Sequence, residues 1–330
     1  MKARAKLLLA VTALCSLLGT AAAQAKETVT YAYQMDPMYE AALWAMKNGK
    51  VTSDKIEVKM TALSIPALIQ ATTTKQYDAI QADVINVQRS ADRGLPLVIL
   101  STANRYNAKG EGHNIWVKKD SPYQTMQDLK GKKIAVPSLG SSGFNLLRFA
   151  TEERHNVNMN PLGGDFVFVE MPVPQIEAAL AAGQVDAATT ILSQNYRVAK
   201  SGDYRPVATP ARDMYELWNL RMIPSINVSY PEKIKERPEA MKELGRMMAE
   251  SAAYLRANPD EVYGAVAEEQ NIDPDFFKAL SAGYAESPNV LTDDDRKAII
   301  KLWDLAHKRG VLKQEPDNEK YFWADAVTTE

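Results

Sequence analysis

The residues best equipped for chemistry in this chain sit in one short stretch, Pro137-Ser138-Leu139-Gly140-Ser141-Ser142-Gly143-Phe144, between an apolar run and a helical pattern. Its small residues let the backbone approach a guest closely, and the Ser141 and Ser142 hydroxyls, with the free N–H groups of a helix start, can donate to anionic oxygens. A sulfonate, carboxylate or phosphate suits such a site. A serine N-cap beside a glycine turn is the plainer reading of the same residues. The stretch is not a Walker motif, since no Gly-Lys-Ser or Gly-Lys-Thr follows at the needed spacing, and it lacks the spacing of a dinucleotide fingerprint.

Further polar clusters end other apolar runs: Gln34-Met35-Asp36, Gln81-Ala82-Asp83, Ser101-Thr102-Ala103-Asn104 and Thr189-Thr190-Ile191-Leu192. Brought together, Gln34, Met35, Asp36, Gln81, Asp83, Asn104, Ser141, Ser142, Gly143, Phe144, Thr190 and Leu192 would orient a small polar solute through hydrogen bonds, with Met35, Phe144 or Leu192 over its apolar part. Asp36 and Asp83 would oppose a bound anion, unless the solute carries an amine or both carboxylates are helix N-caps turned away. Arg105, Arg148 and Arg221 are either counter-charges or solvated side chains. No catalytic residue, metal site or cofactor is expected. His113, His155 and His307 lie far apart in no metal-ligand spacing and read as ordinary surface or satisfied histidines, and there is no Gly-x-Ser-x-Gly elbow.

These clusters need strands and helices to position them. Short apolar runs predict strands over Thr28 to Tyr33, Lys55 to Met60, Tyr77 to Ile80, Leu97 to Thr102, Lys133 to Val136, Phe166 to Val169 and Asp186 to Thr190. Helical patterns at Met38 to Asn48, Val84 to Arg93, Phe144 to His155 and Pro174 to Ala182 alternate with them, so the class is α/β with parallel sheets. From Pro231 onward helices dominate, at Pro238 to Asn258, Pro259 to Gln270, Pro274 to Glu286 and Thr292 to Lys308. Met241, Leu244, Met248, Ala252 and Leu255 fall on one helix face and read as core. Asn114 to Val117 and Ser225 to Ser229 look like extended crossings between two strand sets, which would make a hinge.

A chain of 330 residues, 46% hydrophobic and 24% charged, can bury two cores and is neither fibrous nor disordered. Lys2, Arg4 and Lys6 precede an apolar run from Leu7 to Leu18 and a small-residue stretch ending at Ala25, which predicts a cleaved secretory leader over residues 1–25. The run is too short to span a bilayer. Cys15, the single cysteine, lies in that leader, so the mature chain would hold no disulfide. Acidic residues already outnumber basic ones, 41 to 39, before the three leader bases are removed, which disfavours nucleic acid as a partner.

The run Asp128-Leu129-Lys130-Gly131-Lys132-Lys133-Ile134-Ala135-Val136, leading into Gly140-Ser141-Ser142-Gly143, resembles the central signature of bacterial solute-binding proteins of the nitrate, sulfonate, taurine and thiamine-pyrimidine-precursor group. Ala67 to Ala71 before Tyr77 to Ile80, Ile176 to Ala187 and Arg256 to Glu261 continue the resemblance in order along nearly all of the mature chain. It implies a type II periplasmic-binding fold, two α/β lobes joined by two hinge strands with a helical C-terminal extension on the first. Lobe 1 would comprise residues 26–114 and 220–330, and lobe 2 residues 115–219. It also implies a monomeric, non-enzymatic periplasmic receptor that delivers one solute to an ABC permease with a cytoplasmic ATPase. A sulfonate is the first candidate and a pyrimidine or aromatic acid the alternative. Many relatives carry a tryptophan and a proline where this chain reads Ile191-Leu192-Ser193-Gln194-Asn195, so the pocket wall differs. Two rivals stand beside this reading: an exported sensor for a membrane signalling partner, and an enzyme of the pyrimidine-forming branch, which would need a histidine poised in the pocket.

Overall fold

The computed structural model describes residues 25–317 and 320–329, so the expected leader lies, but for Ala25, outside the described residues. The chain begins β1 (Glu27–Gln34), α1 (Pro37–Lys47), β2 (Ile56–Leu63), α2 (Ile65–Thr74), β3 (Ala79–Asp83), α3 (Val84–Asp92) and β4 (Val98–Tyr106). It continues through β5 (His113–Lys118), β6 (Lys133–Val136), α4 (Ser142–His155), β7 (Val167–Glu170), α5 (Val173–Ala181), β8 (Ala187–Ile191), α6 (Leu192–Ser201), β9 (Tyr204–Ala208) and α7 (Pro210–Trp218). The remainder is β10 (Ser225–Ser229), α8 (Pro231–Glu236), α9 (Pro238–Ala257), α10 (Pro259–Gln270), α11 (Asp275–Ala279), β11 (Ala285–Glu286) and α12 (Asp293–Lys308).

Among the described residues these strands make two sheets, ordered β11-β4-β10-β3-β1-β2 and β7-β6-β8-β5-β9. β1 pairs in parallel with β2 and β3, and β6 in parallel with β7 and β8, as right-handed β-α-β connections require. The two segments expected to be extended crossings are strands, β5 and β10. Each is the first strand after a change of sheet and runs antiparallel to its neighbours. The chain leaves the first sheet through residues 107–112 and returns through residues 209–224.

Local chemistry sets the helix starts that face the space between the sheets. Asp36, in extended conformation, accepts the Met38 N–H ahead of Pro37, a proline at the one helical position where its missing N–H costs nothing. Ser141 accepts the Phe144 N–H and opens α4. Behind them, Met241, Leu244, Met248 and Ala252 are buried, as their spacing predicts, and the first three join α1 and the first sheet in one apolar cluster. Leu146, Phe149 and Ala150 of α4 and Leu192 of α6 belong to that same cluster, so helices of the second sheet's segment bury apolar faces against the first.

One helix expectation fails. Over Pro274 to Glu286 the α-helix stops at Ala279, passes through a π-helical turn, Leu280–Tyr284, and ends in β11. Tertiary hydrogen bonds override the helical pattern: Asn107 N–H donates to the Tyr284 carbonyl at 2.9 Å, and Ala285 and Glu286 pair with Tyr106 and Arg105.

Candidate functional site

The two sheets face each other across a cleft with an inner and an outer chamber that share Gln34, Ile65 and Ser225. The inner chamber, about 50 Å³, takes Asn104 and Tyr106 from β4, His113 from β5, Ser141, Gly143 and Phe144 from the start of α4, Thr189 and Ile191 from the end of β8, and Leu192 from the start of α6. The outer chamber, about 200 Å³, takes Gln81 and Asp83 from β3, Arg89 from α3, Arg93, and Gly140 from across the cleft. Alternation along β4 explains its contribution: Asn104 and Tyr106 share one side, while Arg105 between them turns away to Glu286 and Asp295.

Of the twelve residues expected to meet a solute, the structure gathers Gln34, Gln81, Asp83, Asn104, Ser141, Gly143, Phe144 and Leu192 around these chambers. Four stand elsewhere. Met35 is 67% exposed and lines neither chamber. Thr190 lies one residue out of phase with Thr189, and its hydroxyl donates to Asn195 Oδ1 at 2.9 Å, behind the wall. Asp36 is buried; besides capping α1, it accepts a hydrogen bond from Ser193 Oγ at 2.9 Å. The Ser142 hydroxyl accepts the Ile85 N–H at 2.9 Å.

The last two contacts cross the cleft. Ser193 and Ser142 belong to the segment of the second sheet and Asp36 and Ile85 to that of the first, and a third crossing contact has Arg89 Nη1 donating to the Gly140 carbonyl at 3.2 Å. The start of α4, expected to receive an outside anion, instead meets a carboxylate of its own chain, because the Ser142 N–H donates to Asp83. Even so, burial pushes Asp83 up to about 7, and burial pushes Asp36 up to about 6 against the hydrogen bonds from Met38 and Ser193. The Ser141 hydroxyl is engaged as well, donating to the Ser138 carbonyl at 2.9 Å.

The arginines considered as counter-charges do not line the cleft; Arg105 and Arg148 are buried and Arg221 is partly exposed. Arg105 pairs with Glu286 and Asp295, Arg221 with Glu286, and Arg148 is buried beside Glu152. Arg89 and Arg93, which line the outer chamber, escaped the sequence reading. So did Tyr106, Ser225 and His113. Ser225 lies between Asp83 and Asn104 by register, accepts a hydrogen bond from Gln81 Nε2 at 2.9 Å and lies 3.3 Å from the Tyr39 hydroxyl. Gln81 Oε1 in turn accepts the Gln34 N–H at 2.7 Å, so the floor of the cleft is one hydrogen-bonded chain. Ser225→Ala is expected to lower unfolding free energy by about 1–2 kcal/mol, because it strands the buried Gln81 amide. Urea denaturation checks this, and an unchanged midpoint would mean that the chain of bonds carries nothing.

His113 is not an ordinary surface histidine. It is 3% exposed and stacks on Tyr106 at 5.6 Å, and burial lowers its ring to about 4. Its Nδ1 has no hydrogen-bond partner among the described residues, nor has Oδ1 of Asn104. Among the described residues, no three His, Cys, Asp or Glu gather in a way that could hold a metal ion, and no helix is long and apolar enough to cross a membrane.

Known proteins share this arrangement. A protein of Brucella abortus, provisionally named a binding protein, is 26% identical over 216 residues; the match takes in 62% of this chain and 64% of the length of that relative. The periplasmic aliphatic sulphonate binding protein SsuA of Escherichia coli superposes with a TM-score of 0.67 at 15% identity, covering 90% of this chain and 97% of that one. The desulfurization enzyme DSZB superposes with a TM-score of 0.60 at 16% identity, covering 90% of this chain and 96% of that one, so the same fold also hosts an enzyme. These likenesses show the periplasmic-binding-protein fold, two α/β lobes around a cleft. Residues 56–262 match the family described as NMT1/THI5 like, and because that match takes in well over half of the sequence, the chain belongs to the NMT1/THI5-like family.

Proposed function

We propose that this protein is the exported, non-enzymatic receptor of an ABC importer, capturing one small organic solute between its lobes and handing it to a membrane permease served by a cytoplasmic ATPase. One observation carries the reading: loops from both sheets meet across a single cleft, through Ser142 with Ile85 and Ser193 with Asp36, so a guest in that cleft touches both halves. Differential contact of this kind is what lets a solute favour the closed arrangement over an open one. The proposed lobes are residues 26–114 with 220–330, and residues 115–219. We draw the first hinge back to residues 107–112, since His113 and Asn114 pair with Ile191 and Thr190 of β8. Acting alone on one solute, the receptor works as a monomer.

A sulfonate finds support in the likeness to SsuA and in Arg89 and Arg93 at the outer chamber. Asp83 faces the same chamber and offsets them. A thermal-shift screen of sulfonates, carboxylates, pyrimidines, amides and amines tests the receptor reading. One class is expected to raise the melting temperature, by linkage about 2.7 kcal/mol at a hundredfold excess over Kd, and to be recovered unchanged. Failure of every class to shift it, or turnover of the solute, would overturn the reading.

A further inference from the structure

We propose that the inner chamber selects an uncharged solute bearing an amide-like group, which donates to Asn104 and exchanges a hydrogen bond with His113, and that it rejects sulfonates and carboxylates. The inference deepens the receptor reading and rests on it. Two polar side chains, each 3% exposed, line this chamber with an atom lacking a partner: Oδ1 of Asn104 and Nδ1 of His113. Buried polar atoms in folded proteins are almost always satisfied, so two orphans in one small chamber point to a guest that satisfies them. An amide oxygen only accepts, so the guest must donate to Asn104. A neutral imidazole carries one donor and one acceptor nitrogen, and Nδ1 can therefore answer either the N–H or the C=O half of an amide. Burial keeps that ring neutral at pH 7, so it supplies no positive charge.

The other walls agree. Among the described residues, no Lys, Arg, Asp or Glu lines the inner chamber, and Tyr106, Phe144, Leu147 and Leu192 give it a largely apolar surface. A sulfonate or carboxylate would bury its charge there without a counter-ion and turn acceptor oxygens toward the Asn104 acceptor. A flat neutral body against Tyr106 and Phe144, with an amide at the His113 end, meets no such penalty.

Isothermal titration of the mature chain with benzamide, benzoate and benzenesulfonate tests this, because the three share a ring and differ only in the head group. Benzamide is expected to bind at least about tenfold tighter than either anion. His113→Phe and Asn104→Leu should each weaken benzamide binding about tenfold; His113→Phe, which removes an unpaired nitrogen, should not lower the melting temperature of the unliganded protein, whereas Asn104→Leu also removes the amide that hydrogen-bonds the Tyr39 and Tyr106 hydroxyls. Equal or tighter binding of an anion, absence of benzamide binding, or benzamide binding that both variants leave unmoved would overturn the proposal. Should benzenesulfonate bind and lose affinity in Phe144→Ala, the receptor reading survives and only the solute class falls. Failure of every class in the wider screen would remove both.

Discussion

Gly110→Ala is expected to cost about 3 kcal/mol or more of unfolding free energy. Gly110 sits in the first passage between the sheets with φ +65°, and a Cβ there would lie 2.1 Å from the Arg212 backbone nitrogen and 2.8 Å from the Ala211 carbonyl carbon. Both of those residues belong to α7, in the return passage, so the two crossings of the chain press against each other at this glycine. Backbone atoms cannot rotate out of the way as a side chain would, and the crossings would have to separate. Gly202→Ala is the internal control. Its φ is +73° but nothing lies within 4 Å of the added carbon, so it should show only the left-handed backbone penalty, about 1 kcal/mol. Urea titrations of the two variants decide the matter. Equal losses would mean that the crossings are not in contact.

Thermal stability is expected to fall as pH rises from about 4 to about 8. Asp83 at about 7 and Asp36 at about 6 hold protons in the folded protein that an unfolded chain, with aspartates at about 3.9, has released. The folded state therefore binds more protons over that range, and stability falls as pH rises through these values. His113 works in the opposite sense. Its folded value of about 4 lies below the ordinary value of about 6.5, so below that pH the unfolded chain takes up a proton that the buried ring refuses. Arg89 beside Asp83, and Ser193 and Arg197 beside Asp36, limit the carboxylate shifts without reversing them. Asp83 keeps part of its surface in water, and His113 offsets part of the fall, so the net loss is about 1 kcal/mol between pH 6 and pH 8. Asp83→Asn should flatten that fall, because the Asp36 and His113 contributions nearly cancel. A melting temperature that climbs steadily from pH 6 to pH 8 would contradict the burial of both carboxylates at the lobe contacts.

The elements around the cleft were legible wherever local chemistry bounds them. β6 keeps its expected bounds, Lys133 to Val136, because Gly131 precedes its apolar run and Pro137 follows it, and α10 keeps its own because Pro259 opens it. Polar residues at strand ends were legible for the same reason, and Gln34, Gln81, Asp83 and Asn104 reached the chambers. Which of two adjacent threonines faces inward was not. Thr189 lines the cleft and Thr190 does not because β8 is held between β5 and β6, strands more than fifty residues earlier in the chain. His113, Tyr106 and Ser225 were missed because they flank the passages between sheets. Their inward placement depends on β10 being inserted between β3 and β4 and on β5 lying beside β8, a matter of sheet order rather than of local pattern. The two extended crossings, readable as such, were the signal that could have found them. β9 escaped because Pro206 interrupts its run, which an edge strand tolerates.

Closure around a solute is the claim on which the account depends, and because residues 26–330 contain no cysteine, that stretch expressed alone permits its direct measurement. Spin labels at Gln70→Cys on α2 and Gln175→Cys on α5, both exposed and on opposite sides of the cleft, report the separation of the lobes by double electron-electron resonance. With the solute that stabilises the protein in the thermal screen, the distance distribution is expected to shorten and narrow to one population matching the closed contacts of Ser142 with Ile85 and Ser193 with Asp36. A distribution unchanged at saturating solute would contradict it.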